Sequence, residues 1–248
     1  MLSKTIVKYI QSLVHKKVRD EDSVFVAEGP KVVEELLASG KFKCNMICAL
    51  QGWFDEYAFF LKNISQEDCL VISEFELQKI SFLQTPNKVL AVFYKKEQPD
   101  ISIKNNISLM LDGIQDPGNM GTLIRTADWF GLKNIICSAE CADCYNPKVV
   151  QASMGSLSRV NIIYTNLQDF INQNDGINIY AATLSGKNIF EFKKIKEGMI
   201  LIGNESKGVS KNILQLATDQ ITVPRVGDAE SLNAAVAAGI ILSQIVMK

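Results

Sequence analysis

Between Val24 and Tyr94 the apolar residues fall into short unbroken runs, separated by stretches in which they recur every three or four positions. Unbroken runs of this length read as buried strands, and three-to-four spacing reads as the inner face of a helix. VFVAEG (24–29) predicts a strand. Pro30 suits a first helical position, where its missing N–H would be unpaired in any case. Val32, Val33, Leu36 and Leu37 then share a face, and Gly40 is placed to end the helix. NMICAL (45–50) predicts a strand, FDEYAFFLKN (54–63) a helix and CLVIS (69–73) a strand. Ser73 followed by Glu76 has the spacing of a capping box, so a further helix is expected to begin there. VLAVFY (89–94) closes the series.

A polar stretch with Pro99 follows and predicts a linker at 96–106. The alternation then restarts. ISLMLD (107–112), NIIC (134–137), NIIY (161–164), IYAAT (179–183) and MILIG (199–203) predict strands. Met120, Leu123, Ile124, Ala127 and Phe130 mark a helix face that Gly131 ends. Helices are predicted after Pro147, Ser210 and Ser231. Alternation of this kind implies layered α/β domains. The expected organisation is a smaller N-terminal domain over 1–95, the linker, and a larger C-terminal α/β domain over 107–248.

Composition narrows the class. The chain has 248 residues, 47% hydrophobic and 21% charged, which excludes disordered, collagen-like and coiled-coil proteins. A net charge of −1 excludes an indiscriminate polyanion binder but leaves room for a local basic face. The first 19 residues supply one: Lys4, Lys8, Lys16, Lys17 and Arg19, with no acidic residue among them. No apolar segment reaches the length of a membrane span. The N-terminus reads as an amphipathic helix and not as a secretory signal, so a cytoplasmic protein is expected. Six cysteines in such a chain read as buried thiols. Cys141 and Cys144 have CxxC spacing, but no second pair accompanies them and the one histidine, His15, is remote, so no metal is expected.

Three stretches look unlike plain scaffolding. LDGIQDPGNMGTLIRTADWFG (111–131) runs from a strand through a glycine-rich loop into a helix, whose start offers free N–H groups to an anion. Arg125, four residues beyond Gly121, is expected to project near that start. The spacing matches neither a dinucleotide fingerprint nor a P-loop. LIGNESKGVS (201–210) puts Asn204 and Glu205 at the carboxyl end of a strand, where open α/β sheets hold ligands. ITVPRVGDAESLNAAVAAGIILSQIV (221–246) opens a small-residue helix at Ser231, a natural N-cap. Asn233 is a poor helix former at a position where alanine would be more stable.

Together and in this order, the three stretches resemble the three motifs of the SpoU (TrmH-like) RNA ribose 2′-O-methyltransferases. CADCYNPKVVQASMGSLSRV (141–160) also reads like that family, and KKVRDEDSVFVAEGPKVVEELL (16–37) resembles its ribosomal-protein-like substrate-binding domain. The resemblance implies a C-terminal trefoil-knot methyltransferase domain, S-adenosylmethionine as cofactor, a homodimer, and RNA as substrate. It places cofactor contacts, many through the main chain, on Thr183, Leu184, Ile202, Gly203, Asn204, Val223, Ser231 and Leu232. It implies catalytic roles for Asn119, Arg125, Glu205, Ser231 and Asn233.

Arg125 would anchor the phosphate beside the target ribose, since guanidinium binds phosphate bidentately. A role for it as base is chemically awkward, because a free guanidinium keeps its proton to above about pH 12. Asn119, Ser231 and Asn233 would orient ribose and phosphate, and Glu205 would hold Arg125 or a loop. Lys4, Lys8, Lys16, Lys17, Arg19, Glu28 and Lys31 are the expected RNA contacts of the first domain. By analogy the extra domain favours ribosomal over transfer RNA. The rival readings are a tRNA methyltransferase, a noncatalytic RNA-binding protein that keeps the fold, and a nucleotide-dependent oxidoreductase. The missing fingerprint argues against the last.

Overall fold

The structure is a computed structural model that describes residues 2–61 and 64–246. In chain order the first elements are α1 (Lys4–Ser12), α2 (Lys16–Glu21), β1 (Val24–Glu28), α3 (Pro30–Ala38), β2 (Cys44–Ala49), α4 (Gln51–Tyr57), β3 (Cys69–Val71), α5 (Glu74–Ile80) and β4 (Val89–Tyr94). Then come β5 (Ile107–Asp112), α6 (Pro117–Trp129), β6 (Asn134–Cys137), α7 (Pro147–Ser153), β7 (Asn161–Tyr164) and α8 (Leu167–Gln173). The last are β8 (Ile179–Asn188), β9 (Gly198–Gly203), α9 (Lys211–Leu214), β10 (Asp219–Thr222) and α10 (Ala234–Val246). The helix expected over 54–63 begins three residues earlier, where Trp53 and Phe54 are buried, and tightens into a 3₁₀ turn at Ala58–Leu61. The end of that expectation, Lys62 and Asn63, lies outside the described residues.

The chain divides into two compact units: residues up to Glu97 with Asp143–Ser158, and Gln98–Ala142 with the residues from Arg159 on. The first unit is built on a four-stranded sheet in the order β1-β4-β2-β3, antiparallel except for β2 with β3. Every residue of β1 is buried. Val24 and Val26 face a cluster with Ile10, Leu13, Leu77, Ile80, Leu90 and Val92. Phe25, on the opposite face, packs on Phe42, Phe93 and Tyr145. Successive strand residues point to opposite faces, so covering both faces requires the unbroken apolar run seen in the sequence. α7 lies against β1, the sheet's edge strand, and so covers an edge that would otherwise be free to pair.

The second unit holds a six-stranded sheet in the order β10-β8-β9-β5-β6-β7, parallel throughout. One core cluster joins Met110, Ile136, Leu201 and Met199 of the sheet to Leu167, Ile171 and Ile213 of α8 and α9. α6 and α10 pack on each other. Ile103, in the stretch expected to be a linker, is buried in the same cluster. Because the strands are parallel, Asp112 and Gly203 end side by side on one sheet edge. β8 joins that edge with an irregularity: Ala181 pairs with Gln220, but the next partner, Ile221, pairs with Lys187. The residues from Ala182 to Gly186 therefore bow out of the ladder at the same edge.

Candidate functional site

A cavity of about 920 Å³ lies where these strands end. Its wall combines the bowed part of β8, the turn after β9, the loop after β10 and the inner side of α10. Thr183, Leu184, Ile202, Gly203, Asn204, Val223, Ser231 and Leu232 all line it. Residues scattered over 50 positions of sequence thus meet around one space, because the bowed part of β8 and the loops after β9 and β10 share an edge.

The turn after β9 is fixed by its own main chain and by Asn204. Asn204 and Gly208 exchange N–H to carbonyl bonds at 3.0 and 2.8 Å. Asn204 Oδ1 accepts from the N–H groups of Ser206 and Lys207, while its Nδ2 donates to the Gly113 carbonyl at 2.7 Å. Asp112 accepts from the N–H of Ser210 at 2.7 Å. The loops after β5 and β9 are tied together by these bonds. A side chain at Gly203 would run into the main chain of Gly208 and Val209, so only glycine allows this closure. Behind the β5 loop, Ser138 accepts from the Gly113 N–H at 3.0 Å and Cys141 Sγ from that of Ile114 at 3.3 Å. A hydrogen bond from the Cys137 side chain, outweighing burial, brings the Cys141 thiol down to about 7.

Three of the expected catalytic residues form a chain. Asn233 Nδ2 donates to Asn119 Oδ1 at 2.8 Å, and Asn119 Nδ2 donates to Glu205 Oε1 at 2.6 Å. Asn119 sits in the first turn of α6, which Asp116 caps by accepting the Asn119 N–H at 2.8 Å. Asn233 explains its own presence where alanine looked preferable. Its Oδ1 accepts from the N–H groups of Ala235 and Val236, so it caps α10 while its amide reaches Asn119. The helix start expected at Ser231 is corrected accordingly: α10 begins at Ala234, and Ser231 is an exposed lining residue of the cavity.

Arg125 does not join this chain. It is exposed on α6 and makes no hydrogen bond or ion pair among the described residues. Glu205 is thus held by Asn119 and not by Arg125. One turn beyond Arg125, Trp129 is 83% exposed. The basic rim of the cavity, Lys207 and Arg225, was legible as charge inside the second and third stretches but carried no expectation.

The expected RNA contacts of the first unit separate into three groups. Lys4, Lys8 and Lys31 are exposed. Lys16 and Lys17 are exposed but lie 3.0 and 3.8 Å from Asp20 and Glu21, one turn further along α2. Arg19 is a correction: it is 1% exposed and cannot reach a ligand at the surface. Its guanidinium donates to the carbonyls of Leu13 and Val14 and pairs with Asp143 at 2.6 Å, satisfying the end of α1 from inside. Glu28 is also buried, with its carboxylate accepting from Ser81 Oγ and the Phe82 N–H. Burial pushes the Glu28 carboxyl up, against the pull of those two bonds.

Among the described residues no group of three or more His, Cys, Asp or Glu could hold a metal ion, and no helix is long and apolar enough to cross a membrane. Residues 106–243 match the SpoU rRNA Methylase family, and residues 4–91 match the MRM3-like substrate binding domain. The chain is 30% identical to the 23S rRNA (guanosine(2553)-2'-O)-methyltransferase RlmP of Bacillus subtilis, over 95% of this chain and 94% of the relative. An uncharacterized tRNA/rRNA methyltransferase of Synechocystis is 28% identical over 96% and 89% of the two chains. The crystal structure of an AdoMet-bound rRNA methyltransferase from Sinorhizobium meliloti superimposes with a TM-score of 0.88 at 32% identity, covering 98% of this chain and 95% of that one. With these matches spanning both units and the three stretches meeting in space as one edge, the chain belongs to the SpoU rRNA methylase family.

Proposed function

We propose that the protein transfers a methyl group from S-adenosylmethionine to a ribose 2′-hydroxyl of RNA, ribosomal RNA ahead of transfer RNA, in the cytoplasm and as a homodimer. The observation that carries this reading is the meeting of Thr183, Gly203, Val223 and Leu232 around one cavity, next to the Asn233–Asn119–Glu205 chain. The lining suits the cofactor. Thr183 Oγ1 is buried and unpartnered among the described residues, and it borders the cavity, so it is a hydroxyl in want of a ligand. Thr183, Leu184, Ile202, Gly203, Asn204, Val223, Ser231 and Leu232 would hold it. A trefoil knot formed by these loops is part of the proposal.

When bound, S-adenosylmethionine supplies an electrophilic methyl group and needs no metal for the transfer. The protein's task is to bring one hydroxyl into line with it. Asn119 and Asn233 orient the ribose, each amide already set by a neighbour, and Ser231 adds a hydroxyl from the cavity wall. Glu205 fixes the Asn119 amide. Arg125 anchors the phosphate beside the target ribose. Arg125 stands outside its own cavity wall, and Trp129 and Val236 (51% exposed) lie bare on α6 and α10. A second copy docked on these helices would cover both and bring Arg125 to a site. Only RNA has the 2′-hydroxyl, so DNA is not a substrate. The name of the Bacillus relative supports both the ribose and ribosomal RNA. Lys4, Lys8 and Lys31, with Lys16 and Lys17, are the proposed RNA contacts of the first unit.

The test is incubation of radiolabelled S-adenosylmethionine with unmodified total RNA, followed by mapping of the labelled nucleotide. A labelled ribose in ribosomal RNA is the expected result. Label on a base, or none, overturns the reading.

A further inference from the structure

The first unit contains a cavity of its own, of about 240 Å³, between β1, the segment after α5 and α7. It is lined by Val26, Glu28, Phe82, Leu83, Lys148 and Gln151, with Pro147 and Ala152 completing the wall. Glu28 is 5% exposed, so a carboxylate has been carried into an enclosure whose wall is mostly apolar. Oε1 accepts from the Phe82 N–H at 2.8 Å and Oε2 from Ser81 Oγ. A carboxylate has about four lone-pair sites, which leaves two for a ligand. We propose that this cavity receives one unstacked guanine base of the RNA, held at its Watson–Crick edge by Glu28. The inference rests on the reading of the protein as an RNA enzyme.

The chemistry selects the base. Guanine presents N1–H and N2–H as adjacent donors, the pattern a carboxylate accepts. Adenine and cytosine set an acceptor next to their donor, and uracil flanks its single donor with acceptors. The size agrees: the space is below the ~300–1,000 Å³ of clefts for drug-sized ligands and suits one planar ring system. Phe82, Leu83, Val26 and Pro147 give the ring faces an apolar seat, the usual way a splayed base is held. Gln151 offers an amide donor for the guanine O6. Lys148 is exposed and without an ion pair among the described residues, so its ammonium is available to the phosphate of the same nucleotide.

The test uses fluorescence anisotropy of the full chain with labelled UUGUU, UUIUU and UUAUU RNA, where inosine lacks only the N2 amino group. UUGUU is expected to bind about tenfold more tightly than the other two, as loss of one hydrogen bond to a charged acceptor implies. Glu28→Gln should erase the difference, and Lys148→Ala should weaken all three about equally. Guanosine monophosphate should displace UUGUU from the unaltered protein where inosine monophosphate does not, a comparison that needs no variant to fold. Equal binding of the three RNAs, binding of none, or a preference that survives in folded Glu28→Gln overturns the assignment. Methyl transfer to total RNA by the same preparation keeps the two proposals apart. Transfer without guanine preference removes only the cavity's role, and guanine preference without transfer removes only the activity.

Discussion

The two units treat polar side chains in opposite ways. In the first, Arg19 is taken inside and bonded to two main-chain carbonyls and to Asp143, so its charge serves the fold. In the second, Asn119, Glu205 and Asn233 are gathered on loops and helix ends beside a cavity that Glu205 lines, and Arg125 has no partner among the described residues. A residue type alone therefore does not report function. An arginine in a basic N-terminal run is structural here, and an arginine on a helix face has no ion pair among the described residues.

The contrast breaks most sharply at Arg19. Arg19→Ala leaves Asp143 and two carbonyls without their donor, and urea unfolding is expected to show a loss of about 3–5 kcal/mol, the cost of breaking a buried ion pair from one side. Arg125→Ala should do the reverse. Stability and cofactor binding by calorimetry stay unchanged, while methyl transfer falls by at least ~100-fold, about 2.7 kcal/mol of barrier. Near-normal transfer by this variant would remove Arg125 from the site.

Asn233→Ala sits between the two units' habits, because one side chain both caps α10 and holds Asn119. It should cost about 1 kcal/mol in thermal unfolding from the lost cap and lower transfer as well. If only stability moves, the Asn119 contact has no part in the reaction. The smallest effect belongs to the capping box of α5, where Ser73→Ala should cost up to about 1 kcal/mol and leave transfer untouched. The same box carries a pH signature. The Ser73 N–H, helped by that of Leu2, holds the Glu76 carboxyl down to about 2. The folded pKa lies below the unfolded one, so this contribution is present above the ordinary Glu range and is lost as pH falls towards about 2. Glu76→Gln should flatten that part of an acid-unfolding curve.

Local rules made much of this legible in the sequence. Pro30 and Pro147 do start helices, Ser73 and Glu76 do form a capping box, and the apolar runs are strands because both faces of each sheet are covered. The family resemblance is what joins the three stretches around Asp112, Gly203 and Ser231, and the first two meet because their parallel strands end side by side. What stayed hidden depends on partners that only the folded chain supplies. Arg19 meets Asp143, 124 residues away, and the positive charge of Lys16 and Lys17 is matched only once α2 forms. Asn233 looked misplaced because its helix starts three residues after the apparent cap Ser231, a boundary that a hydrogen bond and not a propensity decides.

The segment Asp143–Ser158 lies in the middle of the family match yet belongs to the first unit. The chain thus passes between units at 97/98, 142/143 and 158/159. Proteolytic nicking between 98 and 106 would not release the N-terminal piece, because α7 and Asp143 would still grip it from the other fragment. For anyone exchanging substrate-recognition domains among such enzymes, a single junction at the linker is the wrong splice. It transplants a sheet without the helix that covers its edge and an arginine without its counter-ion, so the transferable module is one that has to be joined at three points.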